Sequence, residues 1–236
     1  MHRSCSLLWV VAMTALALRV QAAAPAAEVT APAPAVISYV DVAPVAAVRS
    51  AQALRRYCDR LRAAGAADTL AVEQRDQPGR FVVLEEWGSD EARGGDAVRT
   101  AGQVLQGELQ TVRLGSYDER VYRVLVREHG PQQAGSLMPT TETVVVVAHV
   151  DIVGRFDGAG QLLADYARMT AGEMGLLRAE LWQGQARANH YTLIELWQSA
   201  DAWAAHRLSV SRRQFREAIE PMTGSPLDER VYTPVR

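Results

Sequence analysis

Lysine is absent from this sequence: the 25 residues counted as Lys+Arg are all arginine. A mechanism that forms a Schiff base through a lysine amine is therefore excluded. Cysteine occurs twice, as Cys5 and Cys58, without the paired spacing of a zinc or redox motif. Glycine-rich phosphate loops and the signatures of serine hydrolases and zinc proteases are also missing, so nucleotide, flavin and hydrolase chemistry receive no support.

An excess of charge of one sign is lacking as well. The 27 acidic residues nearly balance the basic ones and leave a formal net charge of -2. A nucleic-acid-binding domain needs a basic face, which this balance does not offer. The chain has 236 residues, of which 48% are hydrophobic, and this is an ordinary globular composition. Such a length suffices for one large or two small hydrophobic cores.

The N-terminus has the pattern of a secretory signal peptide over residues 1–22. The apolar run at 7–18 is shorter than the roughly 20 residues that span a bilayer. Residues 20–22, Val-Gln-Ala, fit the small-x-small rule for cleavage. We therefore predict export to the bacterial periplasm or the medium, with no stable membrane anchor after cleavage. Residues 23–35, rich in Ala and Pro, form an extended leader, and Cys58 is then the lone cysteine of the mature chain.

The rest of the chain contains the same segment twice. Residues 81–92 read FVVLEEWGSDEA, and residues 191–202, which begin 110 positions later, read YTLIELWQSADA. The same offset relates the two copies of DERVY at 118–122 and 228–232. Blocks separated by variable sequence share one offset, so the chain is a tandem duplication of a unit of about 100 residues, the size of a small domain.

Hydrophobic periodicity and turn residues divide both copies into the same order of elements. In the first copy we predict strands over 36–42, 69–76, 80–87 and 119–127, and helices over 45–64 and after 89–91. In the second copy we predict strands over 143–153, 177–183, 189–198 and 228–234, and helices over 159–174 and 200–219. The order βαββαβ is that of a ferredoxin-like unit.

A four-stranded sheet with both helices on one face leaves its other face bare, and a second copy is the obvious cover. We predict an α+β fold in which two tandem ferredoxin-like units, 36–127 and 143–236, close one intramolecular α+β barrel. The polar residues 128–142, with Gly and Pro, form the linker. A pocket is expected inside the barrel or between sheet and helices.

The end of the second hairpin carries a recognisable motif. A strand ends in Glu195-x-Trp197, Ser199 and Ala202 follow, and the next helix carries His206. This pattern resembles the antibiotic biosynthesis monooxygenase (ABM) family. The motif is short, so it is more specific for the fold than for the chemistry.

The resemblance extends to both copies, over about 36–125 and 145–235. The closing stretch at 224–232 is similar to the end of an ABM domain, whereas in the first copy Asp96 stands at the position of His206. The resemblance implies the dimeric α+β barrel fold, usually built by two chains and here by the two copies of one chain.

The resemblance also implies an activity, namely cofactor-free monooxygenation of a quinol- or anthrone-like aromatic. The partners would be a small aromatic or hydrophobic molecule and O2, with no cofactor. Heme-degrading proteins of this fold use an Asn on the first strand, a Trp and a His late in the second helix. The first strands here carry Tyr39 and Asp41, or His149 and Asp151, so the heme triad is not reproduced.

Cofactor-free oxygenation needs a base that removes a proton and groups that hold the resulting anion. We predict His206 as the base, at i+3 from Trp203 on one helix. Glu195 is the second candidate, because apolar neighbours on its strand face would raise its pKa. Strand alternation places Tyr191 and Trp197 on that same face. The predicted substrate-binding residues are aromatic or histidine side chains of the second copy: Trp197, Trp203, His149, Tyr191 and Trp182.

Other interpretations stay open at this point. Glu195 could form a structural ion pair with an arginine, and His206 could pair locally on its helix. A metal site of His149, Asp151, Glu195 and His206 has suitable residue types but no close spacing. His190, at the start of a strand, is expected to be exposed. The alternative functions are a non-catalytic periplasmic binding protein for a small hydrophobic ligand and a structural protein whose cavity is filled by side chains.

Overall fold

The computed structural model describes residues 32–131, 139–154 and 157–235. The predicted signal peptide at 1–22 lies outside the described residues, as do most of the Ala/Pro-rich leader and the linker residues 132–138. Within the described part of the chain, no helix is long and apolar enough to cross a membrane. The residues from Pro32 onward form one compact unit, so the two copies share one folded body.

Both copies fold into the predicted succession of elements. The first contains β1 (Pro34–Asp41), α1 (Ala47–Ala63), β2 (Ala66–Gln74), β3 (Arg80–Trp87), α2 (Asp90–Arg93), α3 (Asp96–Leu109) and β4 (Asp118–His129). The second contains β5 (Val144–Asp151), α4 (Ala159–Thr170), β6 (Leu176–Gly184), β7 (His190–Trp197), α5 (Ala200–Arg207), α6 (Val210–Ile219) and β8 (Asp228–Pro234). The second helical segment of each copy is divided in two.

Serine side chains determine where these helices begin. Ser89 and Ser199 occupy equivalent N-cap positions, and each hydroxyl accepts a hydrogen bond of 3.2 Å from the backbone N–H three residues on. The prediction of one helix over 200–219 is wrong. Ser209 interrupts it, because its hydroxyl accepts the backbone N–H of Arg212 at 3.1 Å and so caps the start of α6.

Across the described residues, the eight strands form a closed antiparallel barrel in the order β1-β3-β2-β8-β5-β7-β6-β4. The copies are joined where β2 pairs with β8 and where β4 pairs with β6. The predicted intramolecular α+β barrel is therefore confirmed. Equivalent strands run in the same direction, so an approximate two-fold axis lies along the barrel.

Strand alternation separates the barrel interior from the layers beneath the helices. The inward-facing side chains of both copies form one apolar cluster that includes Ile37, Val82, Val147 and Ile194. The outward-facing side chains pack against the helices, as Val83 does in the first copy. Each buried aliphatic side chain stabilises the fold by about 1.5–3 kcal/mol. The shared interior binds the two copies together.

Charged side chains of both copies meet near the end of the barrel where β1 begins. Arg127 on β4 pairs with Glu86 on β3, and its Nε lies 2.7 Å from Oε1 of Glu180 on β6. Arg178 lies 3.2 Å from Glu180 and 2.5 Å from Asp68. Glu86 and Glu180 are buried, so these arginines compensate charges that water cannot reach. These five residues are the basal cluster.

Candidate functional site

The opposite end of the barrel, where β5 ends and β4 and β7 begin, holds a cavity of about 810 Å³. We call it the rim cavity; its wall includes Arg120, Tyr122, His149, Asp151, Arg187 and His190. A neighbouring side cavity of about 210 Å³ shares Arg120, His149 and Asp228 with it and reaches Tyr39 and Arg230. Both copies therefore contribute to one site, since β4 belongs to the first copy and β5 and β7 to the second.

His190 is the wall residue with the clearest chemical capability. It is 9% exposed, so the expectation of an exposed side chain is wrong: alternation along β7 turns it inward with Thr192. Its Nδ1 lies 2.9 Å from Oδ1 of Asp151, and Arg187 lies 3.0 Å from that carboxylate. The hydrogen bond from His190 holds the pKa of Asp151 below its usual range, although burial opposes it. The ionised carboxylate places the ring proton on Nδ1 and leaves Nε2 as an acceptor.

His149 is neutral near pH 7. Burial, together with the nearby charges of His190 and Arg120, lowers its pKa to about 4. Its Nδ1 lies 2.9 Å from the Thr192 hydroxyl, and its Nε2 contacts the Tyr39 hydroxyl. His149 and Asp151 lie on one face of β5, as the alternation predicts, and both line the rim cavity.

Arg120 and Tyr122 also line the rim cavity. They are two residues apart on β4, so their side chains lie on the same face of the strand. The Tyr122 hydroxyl lies 3.3 Å from Nε2 of His190. Arg120 pairs with Asp118 at 2.6 Å, and its guanidinium lies 4.9 Å from the centre of the Tyr39 ring. The Arg120 guanidinium, paired with Asp118, thus lines both cavities.

The predicted bases His206 and Glu195 meet on the other side of the sheet, beneath the helices of the second copy. The Tyr166 hydroxyl lies 2.9 Å from Oε1 of Glu195 and 2.9 Å from Nε2 of His206. Glu173 lies 2.8 Å from Nδ1 of His206, and the Trp197 indole donates to Glu195 at 3.1 Å. His206 is 1% exposed and both of its ring nitrogens already have polar partners.

Arg212 on α6 completes this buried network. It donates a hydrogen bond of 2.9 Å to the Tyr166 hydroxyl and pairs with Glu229 on β8. The rings of Trp197 and Trp203 lie 4.5 and 5.4 Å from the His206 ring, centre to centre. Polar and aromatic groups therefore enclose the histidine on the sides that these contacts describe.

The structure distributes the predicted substrate-binding residues over both faces of the sheet. His149 and Trp182 lie inside the barrel, His149 at the rim cavity and Trp182 fully buried in the interior cluster. Trp197 and Trp203 pack together beneath the helices, and Tyr191 lies on the same outer face of β7. Of the predicted substrate-binding residues, His149 therefore lines the rim cavity, whereas Trp197, Trp203 and Tyr191 lie on the other side of the sheet.

The rim residues His190, Tyr122 and Arg120 were not singled out as site residues from the sequence. Tyr122 and Arg120 belong to the repeated DERVY segment, and His190 lies on the inward-facing side of β7, as Thr192 does. The repeat and the strand alternation were both visible in the sequence, but only the closed barrel brings the DERVY segment of the first copy next to His190. The described residues contain no group of three or more His, Cys, Asp or Glu side chains that could hold a metal ion.

The comparisons with known proteins agree with this architecture. Residues 144–219, from β5 to the end of α6, match the family model for antibiotic biosynthesis monooxygenase. A candidate monooxygenase from Fusobacterium nucleatum superposes with a TM-score of 0.74 at 13% identity, covering 87% of this chain and 94% of its own. A candidate monooxygenase from Lactobacillus acidophilus superposes with a TM-score of 0.69 at 11% identity, covering 87% of this chain and 95% of its own.

A third structure, an anthrone oxidase-like protein, superposes with a TM-score of 0.63 at 14% identity, over 87% of this chain and 92% of its own. At these identities the likeness establishes the fold. No curated protein matches the sequence. The second copy is thus similar to ABM domains, and the whole chain has the fold of ABM-like monooxygenases.

Proposed function

We propose, on the premise of that ABM match, that this chain is an exported monooxygenase that oxygenates a quinol- or anthrone-like aromatic without a cofactor. The observation that carries the proposal is the rim cavity of about 810 Å³, with a carboxylate-backed histidine in its wall. A cavity of this size is in the range of small-molecule sites. The similarity to an anthrone oxidase-like protein supports the substrate class.

Proton abstraction would begin at Tyr122 and His190. A hydroxyl or acidic C–H of the substrate gives its proton to the Tyr122 oxygen, while the phenol's own proton moves to Nε2 of His190, 3.3 Å away. The imidazolium that forms is stabilised by the Asp151 carboxylate at 2.9 Å. Arg120 faces the anion that remains and holds its negative charge.

The electron-rich anion then reacts directly with O2 to give a peroxide anion. The proton stored on His190 returns to that peroxide, and loss of water leaves the carbonyl product. One substrate with two hydrogens and one O2 thus become one carbonyl compound and one water, with His190 restored. The base supplies its usual contribution of about 100-fold or more to the rate.

The test measures O2 consumption by the purified mature chain with a panel of quinols and anthrones. We expect uptake in the wild type and a loss of about 100-fold in kcat in His190→Gln, because glutamine cannot accept the proton. Substrate should still quench tryptophan fluorescence in this variant. His129→Gln, at the exposed opposite end of β4, is the matched control and should keep the wild-type rate.

The same assay distinguishes the competing assignments. Loss of turnover in His206→Ala together with wild-type turnover in His190→Gln would place the base beneath the helices, as predicted for His206 and Glu195 from the sequence. No uptake across the panel, with quenching retained, would identify a non-catalytic protein that binds a small hydrophobic ligand. The assignment of His206 and Glu195 stays a prediction until these variants are compared.

A further inference from the structure

A tyrosine–histidine pair that the proposed reaction does not use lies where the rim cavity adjoins the side cavity. The Tyr39 hydroxyl contacts Nε2 of His149, and Nδ1 of His149 lies 2.9 Å from the Thr192 hydroxyl. The His149 ring stacks on that of His190, the proposed base, with the ring centres 5.3 Å apart. A carboxylate backs His190, whereas a hydroxyl backs His149.

The hydroxyl behind His149 gives this pair a different chemistry from that of the base. A threonine hydroxyl carries no charge, so it does not stabilise an imidazolium as a carboxylate does. Burial above all lowers the pKa of His149 to about 4, and burial raises the pKa of the Tyr39 phenol. Near pH 7 the pair is therefore uncharged, and it can bind a ligand oxygen without taking a proton from it.

The hydrogen bonds of the pair can run in either direction. If the Thr192 hydroxyl donates to Nδ1 of His149, then Nε2 carries the ring proton and donates to the Tyr39 oxygen, which leaves the phenol proton for a ligand. With the other tautomer, Tyr39 donates to Nε2 and its oxygen accepts from a ligand. The Tyr39 hydroxyl, which lines the side cavity, can therefore bind a carbonyl or a hydroxyl.

The side cavity around Tyr39 has charges that are already paired. Arg120 lies 2.6 Å from Asp118 and Arg230 lies 2.8 Å from Asp228, and all four residues line this cavity. A charged substituent of either sign would meet a like charge there, which is unfavourable. The volume of about 210 Å³ is below the range of whole small-molecule sites, so it suits one uncharged substituent of a ligand whose rings lie in the rim cavity.

The sequence repeat relates the side cavity to the rim cavity. The offset of 110 residues makes Asp41, in the side-cavity wall, equivalent to Asp151, and it places Arg80 at the position of His190. Asp41 pairs in register with Arg80 as Asp151 does with His190. A guanidinium stays protonated and cannot serve as a base. The first copy therefore has the counterpart of the reacting site with an arginine in place of the proton acceptor.

We propose that the side cavity is a subsite for a second, uncharged oxygen of the substrate, which the Tyr39 hydroxyl binds while the reacting hydroxyl or C–H faces Tyr122 and His190. We call it the second-oxygen subsite. The ring centres of Tyr39 and His149 are 5.8 Å apart and those of His149 and His190 are 5.3 Å apart, steps that a fused aromatic covers. The inference rests on the proposed function for the reacting end, and it narrows the substrates to aromatics with an oxygen opposite the reacting position.

Binding in the absence of O2 tests the subsite without turnover. Naphthohydroquinone has an oxygen opposite its first hydroxyl and α-naphthol lacks it, so the two ligands differ by one oxygen. We expect the purified mature chain to bind the hydroquinone about 10-fold more tightly, as measured by quenching of tryptophan fluorescence, because one additional hydrogen bond gives a factor of this size. Tyr39→Phe should weaken the binding of the hydroquinone alone and so abolish the preference.

Tyr117→Phe is the matched control, because this tyrosine packs beneath the helices of the first copy, and the preference should be retained. An α-naphthol with a carboxylate in place of the second hydroxyl should bind no more tightly than α-naphthol itself. Equal binding of hydroquinone and naphthol by the wild type, equal weakening of both by Tyr39→Phe, or a preference that survives in Tyr39→Phe would overturn the subsite. Tighter binding of the carboxylate, or no quenching by any of the ligands, would overturn it as well.

Failure of the proposed function would give a different result. A wild type that prefers the hydroquinone, loses the preference in Tyr39→Phe and consumes no O2 would support the subsite and contradict the oxygenation. O2 uptake that is lost in His190→Gln, together with equal binding of the two ligands, would retain the monooxygenase and overturn the subsite. Circular dichroism checks that Tyr39→Phe is folded, and the comparison of the ligands on the wild type needs no variant.

Discussion

The carboxylates Glu85 and Glu195 occupy equivalent positions in the two copies but have different neighbours. Each accepts hydrogen bonds from a tyrosine and a tryptophan in the layer beneath the helices. Glu195 has the His206 ring at 3.7 Å, whereas Asp96 occupies the equivalent sequence position in the first copy. Burial, against the hydrogen bond from Tyr57, raises the pKa of Glu85 to about 7. Glu85 is therefore largely protonated below neutral pH.

The raised pKa of Glu85 predicts that the stability of the fold depends on pH, and Glu85→Gln should remove this dependence. The unfolded chain releases this proton near pH 4.5 and the folded chain near pH 7, so the folded state binds more protons between these values. Stability therefore falls as the pH rises through that window, by about 3 kcal/mol at most. Glutamine resembles the protonated acid, so Glu85→Gln should gain stability relative to the wild type between pH 5 and pH 8.

Urea denaturation at both pH values measures this gain as a change in the free energy of unfolding. Glu142→Gln, on an exposed segment, is the matched control and should follow the wild type. If Glu85→Gln and the wild type keep a constant difference from pH 5 to pH 8, the raised pKa is contradicted.

Among the elements, β4 holds the two copies together most directly. It pairs with β1 of its own copy and with β6 of the other, and it carries the rim residues at its start and Arg127 toward its end. The basal cluster compensates Glu180, which is fully buried, and Glu86. Its arginines thus pair with two buried carboxylates where the strands of both copies meet.

Arg127→Met should therefore destabilise the protein by about 3 kcal/mol, because it leaves the buried Glu86 without its cation, while Arg178 still pairs with Glu180. Arg123→Met on the same strand is the matched control. Its partner Asp90 has a side chain that is 48% exposed, so the loss of stability should be small beside that of Arg127→Met. Chemical denaturation of both variants decides: equal losses would show that the basal cluster does not stabilise the junction between the copies.

At the scale of the whole molecule, the barrel has one interior that neither copy can complete. Val82 of the first copy and Ile194 of the second belong to the same apolar cluster, and the strand pairs β2–β8 and β4–β6 close the sheet. Separating the copies would expose this interior and four strand edges to water. The two copies should therefore fold and unfold together.

We expect urea unfolding to show a single transition in which tryptophan fluorescence and far-UV circular dichroism have the same midpoint. Fluorescence is weighted toward the second copy, which holds Trp182, Trp197 and Trp203, whereas circular dichroism reports both copies. Two transitions, or a fluorescence midpoint that differs from the circular dichroism midpoint, would show that the copies are independent domains.

Local patterns in the sequence were sufficient for the elements and for the duplication. Alternation along β7 correctly placed Glu195 and Trp197 on one face and Thr192 on the other, because strand side chains alternate whatever the sheet packs against. The helix over 200–219 was mispredicted at Ser209, because a serine that caps a helix cannot be told by residue type from a serine on the surface of a continuous helix. The exposure of His190 was mispredicted because the residues that cover it, such as Tyr122 on β4 and His149 on β5, are distant in the chain.

The sequence by itself determined two βαββαβ units, since periodicity and turn residues act over a few positions along the chain. It also determined that the bare sheet faces need a partner. Only the tertiary structure decided that His149, His190 and Tyr122 share one cavity, because these residues come from three strands and both copies. Barrel closure sets that proximity, and closure depends on strand pairing between segments that are distant in the chain.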